Sequence, residues 1–269
     1  MLVSVVITNY NYSKYLKKCI DSVLNQTYNN IEIIIVDDSS TDDSRDIILE
    51  YQELHSNIVF FFNPTNQGVV FSRNRGIEMS KGEYICFLDA DDFWDFNKIE
   101  RQLKATLNYD LSFCDMYIID EFNNILSEKI HKSKNNKYNY SLLLKYNFIA
   151  HSTLMVKRSI LSNTRYREIP KSIFSDLVSS LFSVKKLIHE DYDFLLRVFK
   201  FNTPSAIYIN ENLINYRKHS NNFSSGWNKK FVSVLFIFNN SLQYNFFISL
   251  YFTLRLSFFT YLRKIQKLV

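Results

Sequence analysis

The stretch Tyr84-Ile85-Cys86-Phe87-Leu88-Asp89-Ala90-Asp91-Asp92 runs from an apolar segment straight into three carboxylates. An apolar run of this length suits a buried strand, and a buried strand does not tolerate unpaired acids. The acids are therefore expected at the strand's exit, facing a cleft. Clustered oxygen ligands there suit a hard divalent cation, Mg²⁺ or Mn²⁺. A cation held at a strand end can grip a diphosphate, so a nucleotide-linked substrate is the first chemistry implied. Glycine-rich phosphate loops offer no alternative. The chain has four glycines, Gly68, Gly76, Gly82 and Gly226, with no GxGxxG and no GxxxxGK[ST]. Dehydrogenases of the usual kind and P-loop kinases are poor candidates on that ground. If a nucleotide diphosphate binds, a cation at Asp89 and Asp91 must carry much of the neutralisation.

The elements that would position these acids alternate over the first hundred residues. Strand-like runs occur at Val3–Ile7, Ile31–Val36, Ile58–Phe62 and Tyr84–Leu88. Between them, Leu16, Cys19, Ile20, Val23 and Leu24 fall at helical spacing, with Ser13 as the expected N-cap. Ser44–Leu54 and Val69–Ser80 read as further helices, the first capped by Ser40 or Thr41 and the second ending near Lys81-Gly82. Such alternation predicts a parallel sheet with right-handed crossovers, whose ligands bind at the carboxyl ends of its strands. Asp37-Asp38 and the Asp89–Asp92 cluster both fall at that edge. The second half is less regular. Strands are expected at Leu111–Ile119, Ser152–Val156 and Leu213–Tyr216, a polar loop at Lys132–Tyr140, and a helix at Glu190–Phe199.

At 269 residues the chain can hold one large α/β domain with an appendage. Cys19, Cys86 and Cys114 are scattered without CxxC spacing, which predicts buried thiols in a reducing compartment. The start at Leu2–Ile7 has no charged n-region, so no signal peptide is expected. The net charge of +5 conceals an asymmetry: after Glu211 come eight Lys and Arg and no acid, which leaves the first 211 residues at −3. Basic residues there interleave with long apolar stretches between Phe231 and Leu262. That pattern predicts amphipathic helices on an anionic membrane surface, and no nucleic-acid partner. The uncharged stretch Phe246–Leu254 falls far short of the roughly 20 residues a membrane span requires.

Several segments together resemble family 2 of the inverting glycosyltransferases, which has the GT-A fold. They are Val3-Ser4-Val5-Val6-Ile7-Thr8-Asn9-Tyr10-Asn11, Ser22-Val23-Leu24-Asn25-Gln26-Thr27-Tyr28, Val36-Asp37-Asp38-Ser39-Ser40-Thr41-Asp42, Asn66-Gln67-Gly68 with Arg73-Asn74-Arg75-Gly76, and Asp89-Ala90-Asp91. Glu190-Asp191 followed by Arg197, and Tyr216-Arg217-Lys218-His219, extend the likeness downstream. Ser39 departs from it: glycine is commoner there, so a turn needing positive φ is strained or reshaped.

The resemblance implies a mostly parallel GT-A sheet flanked by helices, over residues 1–220. Residues 1–100 would form the nucleotide-binding half, 101–220 the acceptor half, and 221–269 a basic, aromatic-rich helical tail. It implies that Thr8, Tyr10, Asp38, Asn66, Gly68, Arg73 and Asp89 bind the nucleotide. Asp91 would hold the metal, with Asp89 and His219 as further ligands. Asp191, beside Glu190, would be the general base in a single displacement that needs no protein nucleophile. Bland roles compete for these residues: a helix-dipole partner for Glu190 and Asp191, a surface ion pair for Arg73, a capping acid for Asp92. The activity implied is transfer from a nucleotide sugar, UDP-linked first, to a glycan or lipid-linked acceptor of a capsule, lipopolysaccharide or other surface polysaccharide. The class is a hexosyltransferase, working in the cytoplasm at the inner face of the membrane. A nucleotidyltransferase and a non-catalytic nucleotide- or carbohydrate-binding module stand beside it.

Overall fold

A computed structural model describes residues 1–130, 138–145, 147–167 and 190–219, together with Thr253. The predicted tail helices within 221–269, most of the Lys132–Tyr140 loop and the whole of 172–186, to which the sequence pattern assigns no element, lie outside the described residues. In chain order the elements are β1 (Val3–Asn9), α1 (Ser13–Leu24), β2 (Ile31–Asp37), α2 (Ser44–Leu54), β3 (Ile58–Phe62), α3 (Val69–Met79), β4 (Tyr84–Asp89), β5 (Phe93–Trp94) and α4 (Lys98–Thr106). There follow β6 (Leu111–Ile119), β7 (Ile125–Lys129), α5 (Tyr140–Lys145), β8 (Met155–Lys157), α6 (Glu190–Asn202) and β9 (Ala206–Arg217). Short 3₁₀ turns sit at His151–Thr153 and Arg158–Leu161.

All nine strands join one mixed sheet in the order β3-β2-β1-β4-β8-β6-β9-β5, with β7 on β6. The first four are parallel, as the alternating pattern predicts. β8 turns antiparallel against both β4 and β6. The chain steps outward from β1 to β2 to β3, then returns to lay β4 on the other side of β1. That reversal is a topological switch point, and it opens a crevice at the carboxyl ends of β1 and β4.

Two compact units are present. One comprises Met1–Tyr138, Ile149–Arg165 and Pro204–His219, and holds the whole sheet. The other comprises Asn139–Phe148, Tyr166–Thr203 and Ser220–Val269. In the second unit α5 and α6 meet where the Tyr192 hydroxyl donates to the Leu143 carbonyl, and Tyr166 stacks on Phe194 with ring centroids 3.9 Å apart.

The central strands are mostly apolar because both faces are covered. Val3, Val5 and Ile7 share a core with Leu16, Cys19, Ile20 and Val23 of α1 and Ile47 and Ile48 of α2. On the other face Val6 meets α3 so closely that a Cβ on Gly76 would lie 2.2 Å from its Cγ1. All three cysteines are buried and free, as expected.

Local rules misplace two helix caps. Ser13 is the first helical residue of α1 and not its cap; its N–H donates to Asp42 Oδ2 at 2.9 Å. Asp42 Oδ1 also accepts the Ser44 N–H at 3.1 Å, so neither Ser40 nor Thr41 caps α2. One carboxylate thus serves the first turns of two helices from a loop distant in sequence from α1, a non-local cap that no residue spacing announces. The late elements differ too. Ser152–Val156 divides into a 3₁₀ turn and β8, and the short strand expected at Leu213–Tyr216 is the end of the long β9.

Burial raises the Asp42 carboxyl, but hydrogen bonds from Ser44 and Ser13 outweigh it and hold the group below its ordinary value. A depressed folded value stabilises above the unfolded carboxyl pKa, near 4, and that contribution is lost as pH falls through the folded value. Asp42→Ala should lower unfolding stability by about 1–2 kcal/mol at pH 7. Urea titrations at pH 7 and at pH 3 should show the gap to the unmodified protein shrinking in acid; a gap of equal size at both would refute the double cap.

Candidate active site

In-register parallel pairing assembles the site. Asn9, at the end of β1, lies opposite Asp37 of β2, and Thr8 lies opposite Asp89 of β4. Residues distant in sequence thus reach one sheet edge because three parallel strands stop together.

Asp37 is buried and fully engaged. Its Oδ2 accepts from Asn9 Nδ2 at 2.7 Å and from Ser40 Oγ at 2.6 Å, and its Oδ1 accepts the Ser40 N–H. The turn that makes this possible places Ser39 at φ 65, so the positive φ expected of a glycine is adopted by serine. Asn11 completes the lock: its N–H donates to Ser40 Oγ and its Oδ1 accepts the Thr41 N–H. The loops after β1 and β2 are one hydrogen-bonded body.

Asp38 organises the next loop. Its Oδ1 accepts from Asn63 Nδ2 at 2.6 Å and the Gln67 N–H at 2.8 Å; its Oδ2 accepts the Gly68 N–H at 2.8 Å. Asn66 Nδ2 donates to the Asp38 carbonyl at 3.3 Å. Gly68 sits at φ 87 and precedes α3, a backbone conformation open to glycine. Tyr10, 46% exposed, stands just beyond β1.

The DxD segment divides three carboxylates among three environments. Asp89 ends β4 with its Oδ1 3.1 Å from Arg73 Nη2 and 3.7 Å from His151 Nδ1. Burial raises its carboxyl, but Arg73 and then His151 bring it net below the ordinary value. Asp91 Oδ2 lies 3.0 Å from His219 Nε2. Burial and the repelling charge of Asp89 outweigh that hydrogen bond and push Asp91 upward. Asp92 is deepest, and burial, then Asp91 and Asp89, raise it well above the ordinary value. Its Oδ1 accepts the Arg217 N–H at 2.9 Å and its Oδ2 meets Ser152 Oγ at 2.7 Å. It caps no following segment; it pins the end of β9 to the segment just after β4.

Arg217, which sequence reasoning counted with the basic tail, is a buried hub. Its Nε donates to the Asp91 carbonyl at 2.8 Å, its Nη1 to the carbonyls of Asp120 and Glu121, and its Nη2 to Asn123 Oδ1. Its guanidinium lies 4.5 Å from the Tyr15 ring centroid. Trp94 proves to be core: its Nε1 donates to the Ser152 carbonyl and the ring carries the buried Lys98 Nζ at 3.7 Å. The residues missed, Asn9, Ser40, Asn63, Ser152 and Arg217, are neutral donors or a buried cation. The one available signal was positional, a polar side chain at a strand exit opposite an acid.

Thr8, Tyr10, Asp38, Asn66, Gly68, Arg73, Asp89, Asp91 and His219 all belong to the unit that holds the sheet. Glu190 and Asp191 belong to the other unit, in the first turn of α6, where Asp191 Oδ1 accepts the Tyr192 N–H at 2.7 Å. Arg197 pairs with the buried Asp193 at 2.9 Å. Among the described residues, no three His, Cys, Asp or Glu side chains converge as a complete metal shell.

The family model described as Glycosyl transferase family 2 matches residues 4–165. Among characterised relatives, the chain is 37% identical over 176 residues to the Escherichia coli UDP-Glc:alpha-D-GlcNAc-diphosphoundecaprenol beta-1,3-glucosyltransferase WfaP, covering 65% of this chain and 68% of that one. The structure of S. aureus TarS 1-349 in complex with UDP-GlcNAc superposes with a TM-score of 0.66 at 18% identity, over 93% of this chain and 69% of that one. The Pyrobaculum calidifontis mannosyltransferase PcManGT in complex with GDP-Man and Mn²⁺ gives 0.60 at 13% identity, over 90% and 64%. The fold is of the GT-A type.

Asp38→Asn keeps one acceptor and turns an NH₂ toward a backbone N–H. The mismatch should cost about 1–3 kcal/mol of unfolding free energy. An unchanged urea midpoint would show that Asp38 does not hold the loop before α3.

Proposed function

The chain belongs to glycosyl transferase family 2, and on that premise we propose that it moves a sugar, with inversion, from a nucleotide diphosphate donor to an acceptor hydroxyl. The donor is a UDP-sugar, and the acceptor a glycan or lipid-linked saccharide in surface polysaccharide synthesis. The observation that carries this reading is the carboxyl edge of β1, β2 and β4. There a loop organised by Asp38 adjoins Arg73, Asp89 and the Asp91–His219 pair. UDP is favoured by the TarS complex, and a lipid diphosphate acceptor by the name of the E. coli relative.

The residues present fit a divalent cation. Asp91 Oδ2 and His219 Nε2 stand 3.0 Å apart. Adjacent ligands of an octahedral ion with bonds of about 2.1 Å lie roughly 3 Å apart. Asp91 is also the acid pushed upward by burial and a neighbouring like charge, the condition a cation relieves. Asp91 and His219 would hold it, with Asp89 nearby, and the remaining positions suit water and phosphate oxygens. Bound there, Mn²⁺ or Mg²⁺ supplies Lewis-acid stabilisation of the departing diphosphate. Arg73, fixed by Asp89, adds a permanent positive charge beside the same leaving group. Thr8 and Tyr10 border the base, Tyr10 offering its exposed ring for stacking. Asp191 takes the proton of the attacking hydroxyl, with Glu190 beside it. Residues 1–100 hold the donor and 101–220 serve the acceptor.

Asp191→Asn should lower kcat by about 10²–10⁴-fold while the donor KM stays within a few-fold. Asp91→Asn and chelator treatment should each cost about three decades in turnover, scored as UDP release from a panel of UDP-sugars, with Mn²⁺ restoring the chelated enzyme. Full activity after exhaustive chelation would sink the cation's role; an axial product from an axial donor, read by NMR, would sink inversion.

Among the described residues no helix is long and apolar enough to cross a membrane. The basic, aromatic tail of the sequence supports peripheral contact at the inner face of the membrane. The full-length protein should sediment with vesicles containing phosphatidylglycerol, and 0.5 M salt should release much of it, on the order of a Debye-screening effect. Equal recovery with neutral vesicles would argue against an electrostatic anchor.

A further inference from the structure

His219 lies two residues past the end of β9, where a side chain would ordinarily sample several rotamers. Here two of its neighbours come from the opposite end of the sequence. Tyr12, at the N-cap position of α1, meets the imidazole edge-on, with ring centroids 5.6 Å apart and planes at 75°. Tyr15, in the first turn, meets it at 5.6 Å and 33°. The tyrosines themselves lie 6.3 Å apart, so the three rings form a triangle with the imidazole at one vertex. The His219 side chain is 5% exposed, and its Nε2 points to Asp91 Oδ2.

The same helix turn also holds the chain leading to His219. The Arg217 guanidinium rests on Tyr15, while its backbone N–H and its Nε are tied to Asp92 and Asp91. The start of α1 therefore touches both the anchor of this chain end and the ring it carries. An imidazole fixed in this way has lost its rotamer freedom during folding, so the loss does not recur when a ligand binds. Aromatic contacts of this geometry are individually modest, but they act on direction, which a ligand pair 3.0 Å apart requires.

We propose that Tyr12 and Tyr15 are positioning residues that hold the His219 imidazole with Nε2 beside Asp91, so that a divalent cation meets a preformed pair. The inference rests on the reading of Asp91 and His219 as cation ligands. It gives the first turn of α1 a function apart from packing: it connects the N-terminal helix to the metal affinity of a residue some two hundred positions away.

The test is a Mn²⁺ titration of the full-length protein followed by EPR of the free ion, with and without UDP. Tyr15→Leu and Tyr12→Leu should each weaken Mn²⁺ binding roughly tenfold, as loss of an orienting neighbour does at metal sites. Tyr15→Phe, which keeps the ring, should stay within about twofold. His219→Ala should weaken binding at least as much, and in that background either tyrosine change should add less than about twofold, because the group it acts through is gone. General loosening of the fold would multiply instead. Tyr15→Leu also removes the ring under Arg217; if it fails to fold, Tyr12→Leu carries the same test. Leucine variants that bind Mn²⁺ like the unmodified protein, or effects that multiply in the double variants, overturn the positioning role while leaving the ligands in place. His219→Ala binding Mn²⁺ unchanged overturns the ligand assignment itself, and the inference with it.

Discussion

Five carboxylates at one edge of a buried sheet have to be answered, and the answers shape everything around them. Asp37 and Asp38 are met by neutral donors, amide side chains, a serine hydroxyl and backbone N–H groups. Asp89 is met by the permanent charge of Arg73, and Asp92 by a backbone N–H and a hydroxyl. Asp91 is met by the His219 imidazole. Neutral donors suffice for structure, since they settle a buried charge without adding another. Arg73 and His219 instead face the two acids of the Asp89-Ala90-Asp91 segment.

Strand register is what makes such a cluster affordable. β1, β2 and β4 end together, and the switch in chain direction beside β1 keeps their exits open. The apolar strands behind are covered on both faces, so the edge inherits a rigid support. Ser152 shows how tightly this support is coupled to the acids. Its hydroxyl bonds Asp92, its carbonyl takes the Trp94 indole, and Trp94 in turn lies under Lys98 of α4. Lys98, Trp94 and Ser152 thus form one chain of contacts from α4 to Asp92.

Much of the first hundred residues was legible because each strand and helix there obeys its own period, and because apolar runs ending in acids announce a sheet edge. The family resemblance added the roles, and the fold agrees with it. The misreadings have a common cause. Asp42 caps α1 across the gap between two loops, and Asp92 holds a strand that follows it by more than a hundred residues. Arg217 has the composition of a surface residue and the partners of a core one. Sequence periodicity reports on neighbours a turn away; it carries no signal for bonds between segments brought together by the sheet. The Ser39 turn is the instructive exception, since a departure from glycine correctly marked a backbone position with positive φ.

The scarcity of glycine and the abundance of acid at this sheet edge meet in the loop before α3. In glycine-rich nucleotide sites, N–H groups at a helix N-terminus point at the phosphates. Here the corresponding groups before α3, the N–H of Gln67 and of Gly68, already donate to Asp38. A protein carboxylate occupies the place a phosphate takes elsewhere, and it orders the loop without a ligand. Those two N–H groups are then engaged by the protein's own anion, so any further anion at this edge would have to be received by side chains. Arg73, held by Asp89 at 3.1 Å, brings a guanidinium to this edge. Asp91 adds a second carboxylate beside that pair, and the Arg217 guanidinium nearby is directed to the Asp91 carbonyl and not to its side chain, so the edge is rich in acid relative to the cations that face its carboxylates. The glycine count and the acid count of this chain are therefore two readings of the same electrostatic arrangement.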